Sequence, residues 1–527
     1  MSTRGASVRD EPQDGVVSRR WFLDRMAWVS SVAAAGAVLP SEVGALGAGR
    51  GDAARLTTDV SDLPVRAGVQ QEPTEMTLAE TIALVRRGAV RPEEMVEAYA
   101  DRIGRFDGVL KAFAAKPDRA ALLAEAARTP ADGVDAPLRG ACLTPKDNFY
   151  TADLLTEGGS RVYEGFQPDY DATVVATMRA AGGLIVGKAQ MGNLAGGRAQ
   201  VYGTTTPTTR NAWAPEDERY SPGGSSSGTA TAVAARLAVA GLGTQTGGSV
   251  IGPGNLQGLT CIKPTFGRVS LHGVIPLSYT RDHVGPMARN ALDAAILLQA
   301  IAHPDPNDPR TLGLPAAPNF VYAATPFPGD APAVRWPTRI GLWPGYFEDG
   351  NEQVNSLRRA FVEQLERTGN VRIVPDVRLP DQWEELTGAP LGGSHGDPTA
   401  FFIEALRKDV RDFGDRLPRF LNGMLQSADT YVKVQQARMM LLHRMETQLF
   451  TQCDVVLTEG TGPFDGTGLP VLGMPIGMDV DEETGLDVPR GATLAARPFG
   501  EERLLAVAAA WQAVTDHHLR RPPDPNV

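Results

Sequence analysis

The sequence predicts an α/β fold, with one large mixed and mostly parallel sheet sandwiched between helices. Two observations predict it. From residue 141 onward, short apolar runs alternate with stretches of helical periodicity, the pattern of strands layered against helices. The 527 residues, 42% apolar and 21% charged, have the composition of an ordinary globular protein able to bury one large core, and no internal repeat is visible.

The chain opens with an address. Residues 18–23 read SRRWFL, two arginines followed by an aromatic pair and leucine, which resembles a twin-arginine export signal. Residues 26–39 (MAWVSSVAAAGAVL) carry no charge, yet the run is too short and too mildly apolar to span a bilayer. Small residues at 44–49 (GALGAG) suit a signal peptidase, although Asp24 stands where such signals often have lysine. The expectation is a signal peptide over 1–48, a linker over 49–75 and a single domain over 76–522. The protein is then exported to the periplasm or beyond by the twin-arginine machinery, with no stable membrane anchoring after cleavage. That route carries folded proteins, which agrees with only three cysteines.

Within the domain, Thr77 with Glu80 three positions later forms a capping box before a first helix, and a second follows Pro92 through Met95, Val96, Tyr99 and Ile103. Then come a strand in CLTP from Cys142, a helix over 173–181, a strand over 184–187 and an alanine-rich helix over 229–240. Residues 303–337 are rich in proline and predict an exposed connection. A strand over 339–343, a helix over 352–368, a strand over 371–377 and a long amphipathic helix over 427–450 follow, the last with Tyr431, Val434, Leu441, Met445 and Leu449 on one side. The segment 385–427 is expected to line the substrate site.

Several function classes are excluded. A net charge of -11 and a pI near 5.3 argue against attraction to nucleic acid or anionic lipid. Cys142, Cys261 and Cys453 are far apart and form no CxxC pair, and the seven histidines include no HExxH, so no metal and no cofactor are expected. Residues 182–188 (GGLIVGK) match the spacing of a phosphate loop but not its chemistry. Leu184, Ile185 and Val186 would form a strand where backbone amides must curl around phosphate, and Ala189 offers no hydroxyl to Mg²⁺.

Chemistry concentrates in two clusters, SPGGSSSGTA at 221–230 and GTQTGGSVIGPG at 243–254, with Lys146 upstream in CLTPKDNF. Together with CIKPTFGRVS and GVIPLS, these motifs resemble the amidase signature family, in order and at its separations, and the similarity runs through nearly all of the mature chain. Carried over by residue, the resemblance implies the amidase-signature fold and a Ser249 nucleophile. It makes Ser225 the bridging serine with a cis peptide before it, and Lys146 the base. Gly224 and Ser226 support them, and the backbone N–H groups of Thr246, Gly247, Gly248 and Ser249 form the oxyanion hole.

The residues themselves agree. A serine hydroxyl is a weak nucleophile until its proton is taken, and neither cluster holds a histidine to take it. A buried lysine without a carboxylate partner loses its proton near neutral pH and can act through Ser225 on Ser249. The activity implied is hydrolysis of a small-molecule amide to acid and amine or ammonia through an acyl-enzyme. Ester or carbamate hydrolysis by the same groups, and a non-catalytic exported binding protein, are the alternatives. The tRNA-amidating subunit of similar fold fits less well with an export signal and an acidic chain. Two departures stand out: Gln245 where the family commonly has aspartate, and Ile251 where it commonly has arginine. A neutral contact is expected to replace that ion pair, because a buried pair must offset its own desolvation.

Overall fold

The computed structural model describes residues 65–128, 136–200, 208–325, 332–348, 350–388 and 396–527. The expected signal peptide and most of the expected linker lie outside the described residues, as do the centre of the proline-rich connection and residues 389–395 of the 385–427 segment.

Ten strands form one sheet. In chain order they are β1 (Cys142–Pro145), β2 (Leu184–Ile185), β3 (Ala240–Gln245), β4 (Thr260–Lys263) and β5 (His283–Ala288), then β6 (Ala333–Leu342), β7 (Gly369–Val374), β8 (Val455–Thr458), β9 (Val471–Val480) and β10 (Asp487–Ala496). Their spatial order is β2-β1-β3-β5-β4-β9-β10-β8-β6-β7. The sheet is mixed as expected but not mostly parallel, because antiparallel pairing joins the strands of its middle; the parallel ladders lie at the two ends, β1 with β2 and β3, and β6 with β7 and β8. The middle, from β3 across β5, β4, β9 and β10 to β8, is antiparallel. The helices Ala291–Ile301 and Glu501–Ala513, buried along almost their whole length, pack on it.

The expected N-terminal helices form, Leu78–Arg86 and Pro92–Leu110. Thr77 accepts from the Glu80 amide at 3.1 Å while Glu80 accepts from the Thr77 amide at 2.9 Å, so the capping box closes in both directions. Residues 182–188 hold β2 and no phosphate-loop curl; Lys188 is fully buried and meets Asp147 at 3.3 Å.

Three expectations need correction. The alanine-rich helix is Ser227–Ala234, and Arg236 at φ 59° turns the chain out of it into β3, whose six residues are all buried. The proline-rich connection is not wholly exposed: Phe320 and Val321 are buried in a short helix, and β6 already begins at Ala333. Pro337, which has no N–H for the ladder, falls where the β6–β7 register shifts. The long amphipathic helix runs Ala428–Arg444 and ends in a π turn at Met445–Leu449; Val434, Leu441, Met445 and Leu449 are buried as expected, whereas Tyr431 is only partly buried, because its OH donates to Asp397. Among the described residues no helix is long and apolar enough to cross a membrane.

Candidate active site

Strands β1 and β3 run parallel, so the residues that follow them emerge on one edge of the sheet, where α/β proteins build their sites. Lys146 leaves β1 and its amide donates to Leu242 O at 2.9 Å. Its side chain is fully buried. Nζ lies 2.7 Å from Ser225 Oγ, 2.9 Å from Thr244 Oγ1 and 3.3 Å from Thr244 O. Burial pulls this amine down to about 7, against the nearby Asp282 carboxylate, which raises it. A neutral amine has two N–H groups and one lone pair; Thr244 offers two acceptors, which leaves the lone pair for the Ser225 hydroxyl.

Ser225, 1% exposed, follows a cis peptide from Gly224 and precedes the helix Ser227–Ala234. Its cluster is tied down rather than loose. Ser227 Oγ donates to Gly223 O at 2.6 Å and accepts from the Ala199 amide at 3.1 Å, and Ser226 Oγ reaches Thr244 O at 3.4 Å. Gly223 sits at φ 72°, which favours glycine, and a Cβ on Gly224 would lie 2.3 Å from Gly197 O.

Ser249, partly buried, stands on the turn between β3 and the helix Ile251–Leu256. The Ser226 amide donates to Ser249 O at 3.3 Å, which brings the two serine clusters side by side. The Ser249 hydroxyl has no hydrogen-bond partner among the described residues, so the structure joins Lys146 to Ser225 directly and Ser249 to the cluster by backbone alone. Of the four amides expected to form an oxyanion hole, that of Gly248 is engaged otherwise: it donates to Asp465 Oδ2 at 2.9 Å. Those of Gly247 and Ser249 meet no acceptor among the described residues. Gly248 is at φ 80°, the left-handed conformation that shapes the turn.

Beneath the turn, Gln245 contacts the Ile251 backbone. Its Oε1 accepts from the Val250 and Ile251 amides at 2.9 and 3.0 Å, and its Nε2 donates to Asp465 Oδ1 at 2.7 Å. Asp282 accepts from Thr246 Oγ1 on one oxygen and from the Leu277 and Ser278 amides, at 2.7 and 2.9 Å, on the other. Asp147 and Asn148 fix the loop: Asp147 holds Lys188 and the Glu157 amide, and Asn148 donates to Thr244 Oγ1 at 3.1 Å.

Sequence reasoning did not find Thr244, Asp282 or Asp465. Thr244 lies inside the GTQTGGS motif, two residues before Thr246, and an acceptor demand from Lys146 could have flagged it. The other two reach the turn from distant segments.

Around the site, Asp397, in the stretch GGSHGDP that had no assigned place, accepts from Ser278 Oγ, Thr280 Oγ1 and Tyr431 OH at 2.5–2.6 Å and anchors the helix Gly396–Lys408 to the Asp282 loop. Arg419, half-buried on the next helix, is pushed down to about 10 by burial and by Arg416 and Arg281. A cavity of about 660 Å³ is lined by Trp343, Trp383, Thr387, Glu459 and Pro463. Thr461, which lies in the chain between the lining residues Gly460 and Pro463, has its Oγ1 3.4 Å from where a Cβ on Gly248 would be. Among the described residues no group of His, Cys, Asp and Glu is arranged to hold a metal.

Comparison with known proteins gives the class. A family model described as Amidase matches residues 94–458. The A subunit of glutamyl-tRNA(Gln) amidotransferase from Roseiflexus castenholzii is 34% identical over 85% of this chain and 97% of its own length; its counterpart from Chromohalobacter salexigens is 33% identical over 85% and 98%. The solved native peptide amidase of Stenotrophomonas maltophilia superposes with a TM-score of 0.71 at 28% identity, over 86% of this chain and 98% of that one. Fold and relatives together define an amidohydrolase of α/β architecture. The chain belongs to the Amidase family, and the expected amidase-signature fold is the one it has.

Proposed function

We propose that the chain is an exported amidase that hydrolyses a carboxylic amide through a Ser249 acyl-enzyme. The observation that carries the reading is the 2.7 Å approach of a fully buried Lys146 to Ser225 Oγ. Neutral Lys146 takes the Ser225 proton as Ser225 takes that of Ser249, and Ser249 Oγ attacks the carbonyl carbon. The negative charge formed on the carbonyl oxygen is met by the amides of Gly247 and Ser249, with Thr246 beside them. Ser225 returns a proton to the leaving nitrogen, the C–N bond breaks, and water repeats the sequence on the acyl-enzyme. The N-terminal SRRWFL supports export. Arg419, within electrostatic reach of the Asp282 carboxylate that holds Thr246 beside the nucleophile, supports a substrate that carries a negative charge.

Ser249→Ala and Lys146→Ala should each lower turnover of a simple aryl amide by about 10³-fold or more with an unchanged circular-dichroism spectrum. A fluorophosphonate should label the wild type and not Ser249→Ala. Retained turnover in either purified variant would end the assignment. The relatives' name favours a second reading, a subunit that works in transamidation of charged tRNA. Full amidase turnover by the chain alone, unaffected by tRNA, sets that reading aside, and turnover that appears only with tRNA and partner proteins establishes it.

A further inference from the structure

The nucleophile turn lacks both charges its family commonly places at positions 245 and 251, yet a carboxylate is present beneath it. It comes from Asp465, on the short helix Gly462–Thr467, 220 positions from Gln245. Asp465 is 2% exposed, and Gln245 and Lys263 are fully buried. One Asp465 oxygen accepts from Gln245 Nε2 at 2.7 Å and the other from the Gly248 amide at 2.9 Å. Gln245 in turn holds the Val250 and Ile251 amides at 2.9 and 3.0 Å. The backbone on both sides of Ser249 is therefore fastened to one chain of two side chains. Lys263 Nζ, 3.9 Å from Asp465 Oδ1, supplies the opposite charge, itself held by Leu469 O and by His283 Nε2 at 3.5 Å.

From this geometry we infer that Asp465 is a positioning residue for the nucleophile turn, acting through Gln245 and the Gly248 amide to aim Ser249 and the free amides of Gly247 and Ser249. The inference rests on the reading of Ser249 as nucleophile. Its logic is donor and acceptor matching. Gln245 must turn its oxygen toward the two backbone amides, so its NH₂ faces Asp465, and only an acceptor on both Asp465 oxygens satisfies Gln245 and Gly248 together. In Asp465→Asn one of those donors faces another donor. In the double variant Gln245→Glu with Asp465→Asn, the introduced glutamate keeps the Val250 and Ile251 amides and accepts from the NH₂ of the introduced asparagine, whose carbonyl accepts from Gly248. The match is restored, and one carboxylate remains in the network.

The test measures kcat per fluorophosphonate-titrated site, KM and Tm on one amide substrate. Asp465→Asn should lower kcat by about 10²-fold with KM changed less than threefold, and the double variant should recover to within about tenfold of wild type. Wild-type kcat per titrated site in Asp465→Asn, with only Tm lowered, would show a purely structural role and overturn the proposal. So would a double variant no faster than Asp465→Asn. Where Asp465→Asn does not fold, the double variant decides: folded and active supports the proposal, unfolded or inactive overturns it. Absence of wild-type labelling, or turnover retained by Ser249→Ala, instead defeats the assignment of the nucleophile and is separately visible.

Discussion

Lys146 illustrates how one residue exchanges stability for reactivity. An amine brought to about 7 from its usual value near 10.5 has lost water that a charged group needs, and the loss exceeds what Asp282 returns. Because only the neutral form accepts a proton, kcat/KM for a substrate without titratable groups should climb with pH through a limb centred near 7 and level above it. Lys146→Arg should be inactive at every pH, since a guanidinium stays charged. The same shift bears on folding. Between about 7 and 10.5 the unfolded chain holds a proton on this lysine that the folded chain does not, so stability from this group rises with pH across that window. Burying it costs at most roughly 5 kcal/mol at neutral pH. Lys146→Met, of similar volume and without charge, should therefore melt above wild type at pH 7 while being inactive. Thermal unfolding followed over pH should show that gap closing as 10.5 is approached, and a lower Tm for the variant at pH 7 would contradict the argument. Arg419→Gln belongs to this scale too. Steady-state kinetics should show KM raised about tenfold or more for amides bearing a carboxylate, with neutral amides unaffected.

At the scale of elements, β3 and the helix before it place the two serine clusters, and they do so through small residues. A Cβ on Gly243 would lie 2.7 Å from Ser226 Oγ and 3.0 Å from Met287 Sδ, so strand and cluster touch without room for a methyl group. Gly243→Ala should push Ser226 outward and its neighbour Ser225 off the Lys146 amine, lowering kcat at least tenfold, readable as slower acylation in stopped-flow. Equal acylation rates would show that the cluster is positioned from elsewhere. This tight region is also where the sequence was hardest to read. Lys146, Ser225 and Ser249 stand out in the sequence because their motifs keep fixed spacings, and the structure joins the first two; the capping box at Thr77 was legible because it is local. Strand β3, AGLGTQ, was not: it is buried on both faces, has no polar alternation and continues an alanine-rich helix, so composition predicted helix through to residue 240. Only Arg236 in a left-handed conformation ends the helix, and nothing in its residue type announces that. The partners of the nucleophile turn, Asp282 and Asp465, were illegible for another reason. Their roles arise when the sheet closes and brings together segments that share no local pattern.

For the whole molecule, the question is what folds where. Cys142, Cys261 and Cys453 are all buried free thiols, so the described body requires no oxidising compartment to acquire its structure. The ends of that body are fastened to it: Arg66 pairs with Glu80 at 2.7 Å near the start, and Asn526 donates to Glu216 at 2.7 Å near the end. The helix at Leu78 is capped from 215 positions away by Asp293, whose two oxygens accept the Leu78 and Ala79 amides at 2.9 and 3.1 Å. A fold joined across such separations is completed only once its C-terminal half exists. The twin-arginine reading of residues 18–23 requires a finished fold before transport, and the two can be tested together. In cells making the full chain, amidase activity should appear outside the cytoplasm. Arg19→Lys with Arg20→Lys, which keeps the charge and removes the paired guanidinium groups, should retain that activity inside as folded, active enzyme. Fractionation with activity assays on both compartments reads the result. Wild-type activity confined to the cytoplasm would refute export, whereas a variant that accumulates inside but inactive would refute folding ahead of transport.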